Sequence, residues 1–593
     1  MFQTFESATR PEQGPPRLKA LRAAMAGAGV DGFIVPRADA WQGEYVAPCD
    51  ERLAWLTGFT GSAGYCVALG HVAGVFVDGR YRVQVKQQVA DVFTPVDWPE
   101  TSLGDWIADQ GAEGAVIGFD PWLHPPKQVE ALRARLARAG MTLQAVENLV
   151  DAIWEHRPAR PDGRAFAHPI ELSGERSPAK RARIAQSLRD AGEDAAILTL
   201  PDSICWLLNI RGADIPRIPI LQCFAILHSD GRVGLFVEPE KVADLGPDPE
   251  IDVAPPAAFL PAVKALAGRV RVDAESCPQA VVDALTAEVV MGTDPCLLPK
   301  ARKNPVELSG ARAAHQRDAV AMVEFLAWLD AQAPGTLSEI DVAQALEGFR
   351  RGTNALQDIS FETISGAGAH GAIVHYRVTE ETNRRLADGE LYLVDSGGQY
   401  VDGTTDITRT VTIGEPPEGA RAAFTRVLQG MIGLSRLRFP RGIAGGHIDA
   451  IARAPLWMAG QDYDHGTGHG VGSYLSVHEG PARISRVSLL PLEPGMILSN
   501  EPGYYREGEF GIRIENLIVV EEARPLPGAD ARDMLSFETL TYVPIDRRLI
   551  VSDMLSAGER DWLNAYHADC AARVAGQLSD RAAAWIAVAT AAI

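Results

Sequence analysis

Paired cysteines are missing from this chain. Seven are scattered at positions 49, 66, 205, 223, 277, 296 and 570, no CxxC occurs, and the number is odd. That argues against a disulfide framework or a cysteine zinc site and fits a reducing compartment. Long apolar runs are missing as well: none approaches the roughly 18 residues needed to span a bilayer. The Ala-rich AAAWIAVATAAI is too short, follows Arg581 and reads as a terminal helix. The opening MFQTFESATRPEQGPPRL has no apolar core and carries two glutamates, so it does not read as a secretory signal. Positive charge is scarce: 56 Lys and Arg face 77 Asp and Glu, a net charge of -21. Nucleic acid and anionic membrane are therefore not expected partners. No GxxxxGK[ST] phosphate loop and no HExxH occurs, and GFTGSAG near residue 60 lacks the GxSxG spacing of a nucleophile elbow. A cytoplasmic protein is the expectation.

What is present is length and an ordinary globular composition. The 593 residues, 46% of them hydrophobic, exceed the roughly 250–300 at which one core stops growing. Residues 1–160 alternate helical and strand-like segments: an amphipathic LKALRAAMAGAGV, then DGFIVPRAD as a buried strand, then WLTGFTGSAGYCVAL and VAGVFVDGRY. Residues 161–302 repeat that grammar, with AKRARIAQSLRDAG followed by EDAAILTLPDSICWLLNIRGADI, which reads as a duplicated unit. Proline-rich HRPARPDGR and DPCLLPKARKNP flank the second unit and read as linkers. From 303 to 530 helices (VELSGARAAHQRDAVAMVEFLAWLD, SEIDVAQALEGFRR) give way to glycine-punctuated strands, and 531–593 is an extension expected to pack on that domain. The fold class is α/β with α+β character.

Five residues of the 303–530 region form a candidate two-metal site: Asp395, Asp406, His469, Glu501 and Glu515. Four carboxylates and one imidazole suit two hard divalent cations, which generate a hydroxide at neutral pH. LYLVD delivers Asp395 at a strand end, and DITRTVTI begins at Asp406, so a hairpin-like return brings the carboxylates together. Two aspartates capping turns would look the same in isolation. In DHGTGHGVG, His465 and His469 stand four apart, but Gly466, Gly468, Gly470 and Gly472 disfavour a helix and permit sharp turns and close backbone approach. Six of the thirteen histidines (370, 375, 447, 465, 469, 478) fall between 370 and 478. MILSNEPGYY ends a strand at Glu501. In FGIRIENLIVV, Gly511, Arg513 and Glu515 share one face by alternation, either as an ion pair or as a carboxylate ligand with a supporting arginine, while Ile512 and Ile514 face a core. GAGAHG at 366–371 satisfies GxGxxG, but the following AIVHYRV reads as a strand, so the dinucleotide reading fails its context.

The ordered set Asp395, Asp406, His469, Glu501, Glu515 resembles the metal ligands of the pita-bread metallopeptidases. Within that family, AIVHY, HGTGHGVG, VHEGP, NEPGYY and GIRIEN are similar to aminopeptidase P, in its long three-domain cytosolic form. YVAPCDERLAWLTGFTGSAG, WLLNIRGADIPRIPI and FETLTYVPID resemble it too, so the likeness covers nearly the whole chain. It implies two related creatinase-N-like α/β domains followed by a pita-bread catalytic domain, and a homodimer. It implies removal of the first residue from peptides with proline second, by a metal-bridged hydroxide attacking the carbonyl before proline. Two divalent ions are implied, manganese first, with cobalt or zinc also compatible. By the same resemblance Asp395 chelates the first ion, Asp406 and Glu515 bridge, and His469 and Glu501 complete the second, with Glu501 taking the water proton. His375, His465 and His478 line the substrate pocket as catalytic and binding groups, Arg513 joins them at the substrate, and Tyr504 and Tyr505 are candidates for the proline-ring pocket. The rivals are a prolidase, which cleaves Xaa-Pro dipeptides, and a metal-free pita-bread binding protein, against which all five ligands argue.

Overall fold

The structure is a computed structural model that describes residues 1–593. The chain forms two compact units, one of Ala8–Leu297 and one of Met1–Ser7 with Leu298–Ile593.

The first unit holds two six-stranded sheets. Strands β1 (Gly32–Pro36), β2 (Tyr65–Leu69), β3 (Ala73–Val77), β4 (Thr94–Asp97), β5 (Val116–Phe119) and β6 (Thr142–Ala145) order as β4-β3-β2-β1-β5-β6. Strands β7 (Ala195–Leu198), β8 (Phe224–His228), β9 (Val233–Phe236), β10 (Ile251–Ala254), β11 (Arg269–Val272) and β12 (Glu288–Met291) order as β10-β9-β8-β7-β11-β12. Position by position the order is the same, and so is the sense. The first two strands of each sheet pair antiparallel (β1 with β2, β7 with β8), and the first with the fifth pairs parallel (β1 with β5, β7 with β11). Helices cover both faces, which is why the strands read as continuous apolar runs. In β1, Phe33 and Val35 enter one core with Leu18 and Leu21 of helix α1 (Gly14–Ala28), and Ile34 enters the other with Trp106. Between the two sheets, Trp41 Nε1 donates to Cys223 O at 2.9 Å and Gln222 Nε2 to Asp39 at 3.1 Å.

The second unit starts where a linker was expected. Residues Leu297–Ala301 are helical, and both lysines of the stretch are buried. The long helix α2 (Pro305–Asp330) is then launched by an Asn304 cap, Pro305 in its first turn and Glu307 closing a capping box. Helix α3 (Glu339–Arg351) follows. Strands β13 (Ile364–Ala367), β14 (Glu390–Ser396) and β15 (Ile407–Ile413) make an antiparallel sheet in the order β13-β14-β15. Helices α4 (Ala420–Ser435) and α5 (Gly445–Trp457) come next. Strands β16 (Arg438–Pro440), β17 (Gly468–Gly470), β18 (Glu479–Ile484), β19 (Ile497–Asn500), β20 (Asn516–Glu522) and β21 (Met534–Thr539) form a six-stranded sheet ordered β16-β21-β20-β19-β17-β18. Gly503–Arg506 and Phe510–Arg513 form a separate hairpin. Val323 and Phe424 share one core with Ile512, Ile514 and with Leu563, Cys570 and Ile586 of the two terminal helices, Ala557–Val574 and Asp580–Ala589. All seven cysteines are free and buried, and no helix is long and apolar enough to cross a membrane.

Candidate metal centre

Two sheets deliver the candidate ligands. β14 and β15 run antiparallel with Asp395 opposite Thr408 and Ser396 opposite Ile407. Asp406 sits one residue before β15, so the hairpin-like return does place both aspartates at the same end of the pair. His469 is the middle residue of β17, next to a register irregularity. Its flanking glycines have a steric reason: a Cβ on Gly468 would lie 2.0 Å from Ser499 O, and one on Gly470 would lie 2.2 Å from Glu479 O. Glu501 follows the last residue of β19, and its N–H donates to Thr467 O at 2.9 Å. FGIRIENLIVV is not one strand: Glu515 sits in the break between Phe510–Arg513 and β20, its N–H bonded to Thr408 O at 3.2 Å. That break turns Glu515 toward Asp406 while Ile512 and Ile514 stay in the core.

Ligand atoms of Asp406, His469 and Glu515 all lie within 4.8 Å of one another. His469 Nε2 is 3.4 Å from Asp406 Oδ2 and 3.4 Å from Glu501 Oε1. Arg513 donates to Asp395 Oδ2 at 2.6 Å, and Thr408 Oγ1 donates to Glu515 Oε2 at 2.8 Å. The remaining oxygens, Asp395 Oδ1 and Glu515 Oε1, are buried without a hydrogen-bond partner. Crowded anions resist ionisation. Burial, reinforced by Asp406 and Glu501 against the pull of Arg513, pushes the Asp395 carboxyl up to about 7. Burial and the charges of Asp406, Glu501 and Asp395 hold Glu515 well above the carboxylate range. Burial also raises Glu501. His469 goes the other way for an imidazole: burial opposes its charge, but Asp406 and Glu501 lift it to about 9. Buried acceptors lacking donors, in a carboxylate cluster around one imidazole, are the environment that hard divalent cations satisfy. The residues present fit such ions.

Beside these ligands stand the half-buried His465, Tyr505 and His478. His465 Nδ1 bonds Gly466 O at 2.8 Å, so its Nε2 accepts from Tyr505 Oη at 2.9 Å. Arg513 donates to the same hydroxyl at 2.7 Å, completing a chain from His465 to Asp395. Arg513, expected at the substrate, is thus buried with its guanidinium held by Asp395, Tyr505 and Thr408. The ring of His478 stands edge-on to that of His469, centroids 4.2 Å apart. His375 lies half-buried in a turn, not in the strand expected for AIVHYRV. The preceding GAGAHG ends β13 and enters a tight 3-10 segment, Gly368–Ala372, packed on the Arg513 strand so closely that a Cβ on Gly511 would lie 1.7 Å from Gly371 O. Two clustered histidines are structural: His370 bonds Glu339 at 2.9 Å, and His447 accepts from Ala444 N at the start of α5. The sequence reading missed two features, the Tyr505 link and a buried Lys300–Glu479–Lys303 ion trio. In that reading Tyr505 is only a proline-ring candidate, and no signal points to the trio.

Residues 309–522 match the model of metallopeptidase family M24, and 533–593 match the C-terminal region of peptidase M24. Residues 17–153 and 156–307 each match a creatinase/prolidase N-terminal domain. Aminopeptidase P2 of Arabidopsis thaliana is 38% identical over 92% of this chain and 83% of its own length. A probable Xaa-Pro aminopeptidase P of Ajellomyces dermatitidis is 37% identical over 93% of this chain and 94% of its own. Among solved structures, the X-prolyl aminopeptidase from Caenorhabditis elegans, described as a cytosolic enzyme with a di-nuclear active site, superposes with a TM-score of 0.91 at 32% identity, covering 98% of this chain and 99% of that one.

Proposed function

The chain belongs to the aminopeptidase P family of M24 metallopeptidases, and from that premise we propose that it removes the N-terminal residue from peptides whose second residue is proline. The observation that carries the reading is the convergence of Asp406, His469 and Glu515 beside two buried carboxylate oxygens without donors. Asp395, Asp406, His469, Glu501 and Glu515 would hold the divalent ions. Manganese is the expected metal, because the donor set is dominated by carboxylate oxygen. Bound there, such ions would polarise a carbonyl and would bring water's pKa near neutrality.

This chain's own residues do the rest. Glu501 is half-buried, and its raised affinity for protons suits it to take one from the attacking water. The acidic cluster attracts the substrate's free ammonium, which limits cleavage to one residue. His478, whose ring is edge-on to that of His469, and His375 are the groups we assign to contact the scissile carbonyl and to give a proton to the departing proline nitrogen. That nitrogen bears no N–H, so recognition rests on ring shape and on the carbonyl groups. Tyr505 ties His465 to Arg513, and Arg513 orients Asp395. Tyr504 and the ring of Tyr505 remain our candidates for the proline ring.

The active form we propose is a cytoplasmic homodimer. Free buried cysteines support the compartment. An exposed apolar patch supports the second copy: Trp457 and Met458 end α5, Val487 and Leu489 are 83% and 84% exposed on a nearby loop, and Arg486 of that loop lies over the Trp457 ring. The test is a manganese-supplemented assay of Xaa-Pro-Yaa, Xaa-Pro and Met-Ala-Yaa side by side. Cleavage of the first alone, or far ahead of the others, is expected; preference for the Xaa-Pro dipeptide would make the chain a prolidase.

A further inference from the structure

Three charges are buried beside the His469 strand and take no direct part in holding metal. Lys300, Lys303 and Glu479 have side chains 1%, 2% and 1% exposed. Lys300 Nζ stands 3.0 Å from one Glu479 oxygen, and Lys303 Nζ donates to the other. Two ammonium groups thus face one carboxylate in the interior. Apolar side chains of equal volume would hold these elements together at lower desolvation cost. What the charged set adds is direction: Lys303 hydrogen-bonds one oxygen of the carboxylate, and Lys300 stands in ion-pair contact with the other.

The direction matters because of where the ends are tied. The Lys303 N–H donates to Gly495 O at 3.0 Å, and Arg302 forms a β-bridge with Met496, immediately before β19, the strand that runs into Glu501. The Lys303 side chain ends at Glu479, the first residue of β18. β17, which carries His469, lies between β19 and β18, and Gly470 pairs with Leu498 on one side and Glu479 on the other. One short segment therefore braces both strands that flank His469. Glu479 also directly follows His478, whose ring is edge-on to His469.

We propose that Lys300, Glu479 and Lys303 are positioning residues for the peptidase reaction, fixing the His478 imidazole against His469 through the clamped carboxylate of its neighbour. This rests on the peptidase reading, which the wild-type chain tests separately in the same assay. The experiment compares wild type, Glu479→Gln and the triple variant Lys300→Met/Lys303→Met/Glu479→Met, each also in a His478→Ala background. It measures kcat and KM on Xaa-Pro-Yaa, bound metal, and the His469–His478 ring separation by crystallography. With His478 present, the expected result is unchanged metal content and KM, a displaced His478 ring, and kcat lower by about tenfold or more, the scale on which small misplacements act. In the His478→Ala background the same changes should lower kcat no further. Glu479→Gln leaves two lysines without a counterion and can fail to fold. The triple variant leaves no unpaired charge and carries the test in that case. Wild-type kcat in the folded triple variant, or an equal loss in both backgrounds, would overturn the proposal.

Discussion

Asp395 takes Arg513 on one oxygen and nothing on the other, and Glu515 likewise has one oxygen satisfied by Thr408 and one left bare. A cation is what such half-satisfied buried carboxylates lack. Asp406→Ala or Glu515→Ala should therefore lower kcat by about a hundred- to a thousandfold, the range for losing a central electrostatic group. Metal content should fall while the circular dichroism spectrum stays that of wild type; full activity without bound metal would contradict this. His375→Ala, by contrast, should hydrolyse slowly while keeping its metal, checked by the same two measurements. The titration shifts give a third expectation. Asp395 rises from 3.8 to about 7 and His469 from 6.5 to about 9. Without metal, the folded chain holds protons that the unfolded chain releases, so this stabilisation is present at low pH and is lost as pH climbs from about 4 to about 9. Metal binding requires the deprotonated ligands and reverses that dependence. Melting temperatures with chelator and with manganese should diverge as pH rises, and parallel curves would refute the assignment.

At the scale of elements, the backbone explains the glycines. β17 is squeezed between β19 and β18, and Gly468 leaves no room for a side chain against Ser499 O. Gly468→Ala should cost about 2 kcal/mol or more and weaken metal binding. Gly466→Ala, whose nearest neighbour would be 3.7 Å away, should stay within about 0.5 kcal/mol of wild type. Urea midpoints on the two variants separate these outcomes. Much of this was legible beforehand. The LYLVD and DITRTVTI pairing followed from alternation and turn residues, and the HGTGHGVG glycines announced close approach. Less legible was anything set by distant partners. AIVHYRV has strand composition but forms a turn, because the tight GAGAHG segment before it packs on Gly511. FGIRIEN alternates through a break that only the hydrogen bonds of Glu515 to Thr408 reveal. DPCLLPKARKNP reads as a linker by its prolines, yet its lysines are buried on a glutamate about 180 residues away, which no local pattern encodes.

At the scale of the whole chain, the repeated αβ grammar of residues 1–302 appears as two sheets with one topology, and the tail helices share the core of the second unit. The exposed patch on which the dimer proposal rests was invisible in the sequence, since Trp457, Met458, Val487 and Leu489 look like ordinary apolar residues until their exposure is known. Met458→Asp with Leu489→Asp should convert a dimer to a monomer by light scattering; an unchanged dimer would place the interface elsewhere. The claim on which the rest depends is that carboxylates far apart in sequence cage a pair of cations. The direct measurement is anomalous diffraction at the manganese edge from crystals grown with that metal. Two peaks are expected, bounded by Asp395, Asp406, His469, Glu501 and Glu515. No peak there, or ions held by other residues, would contradict the account.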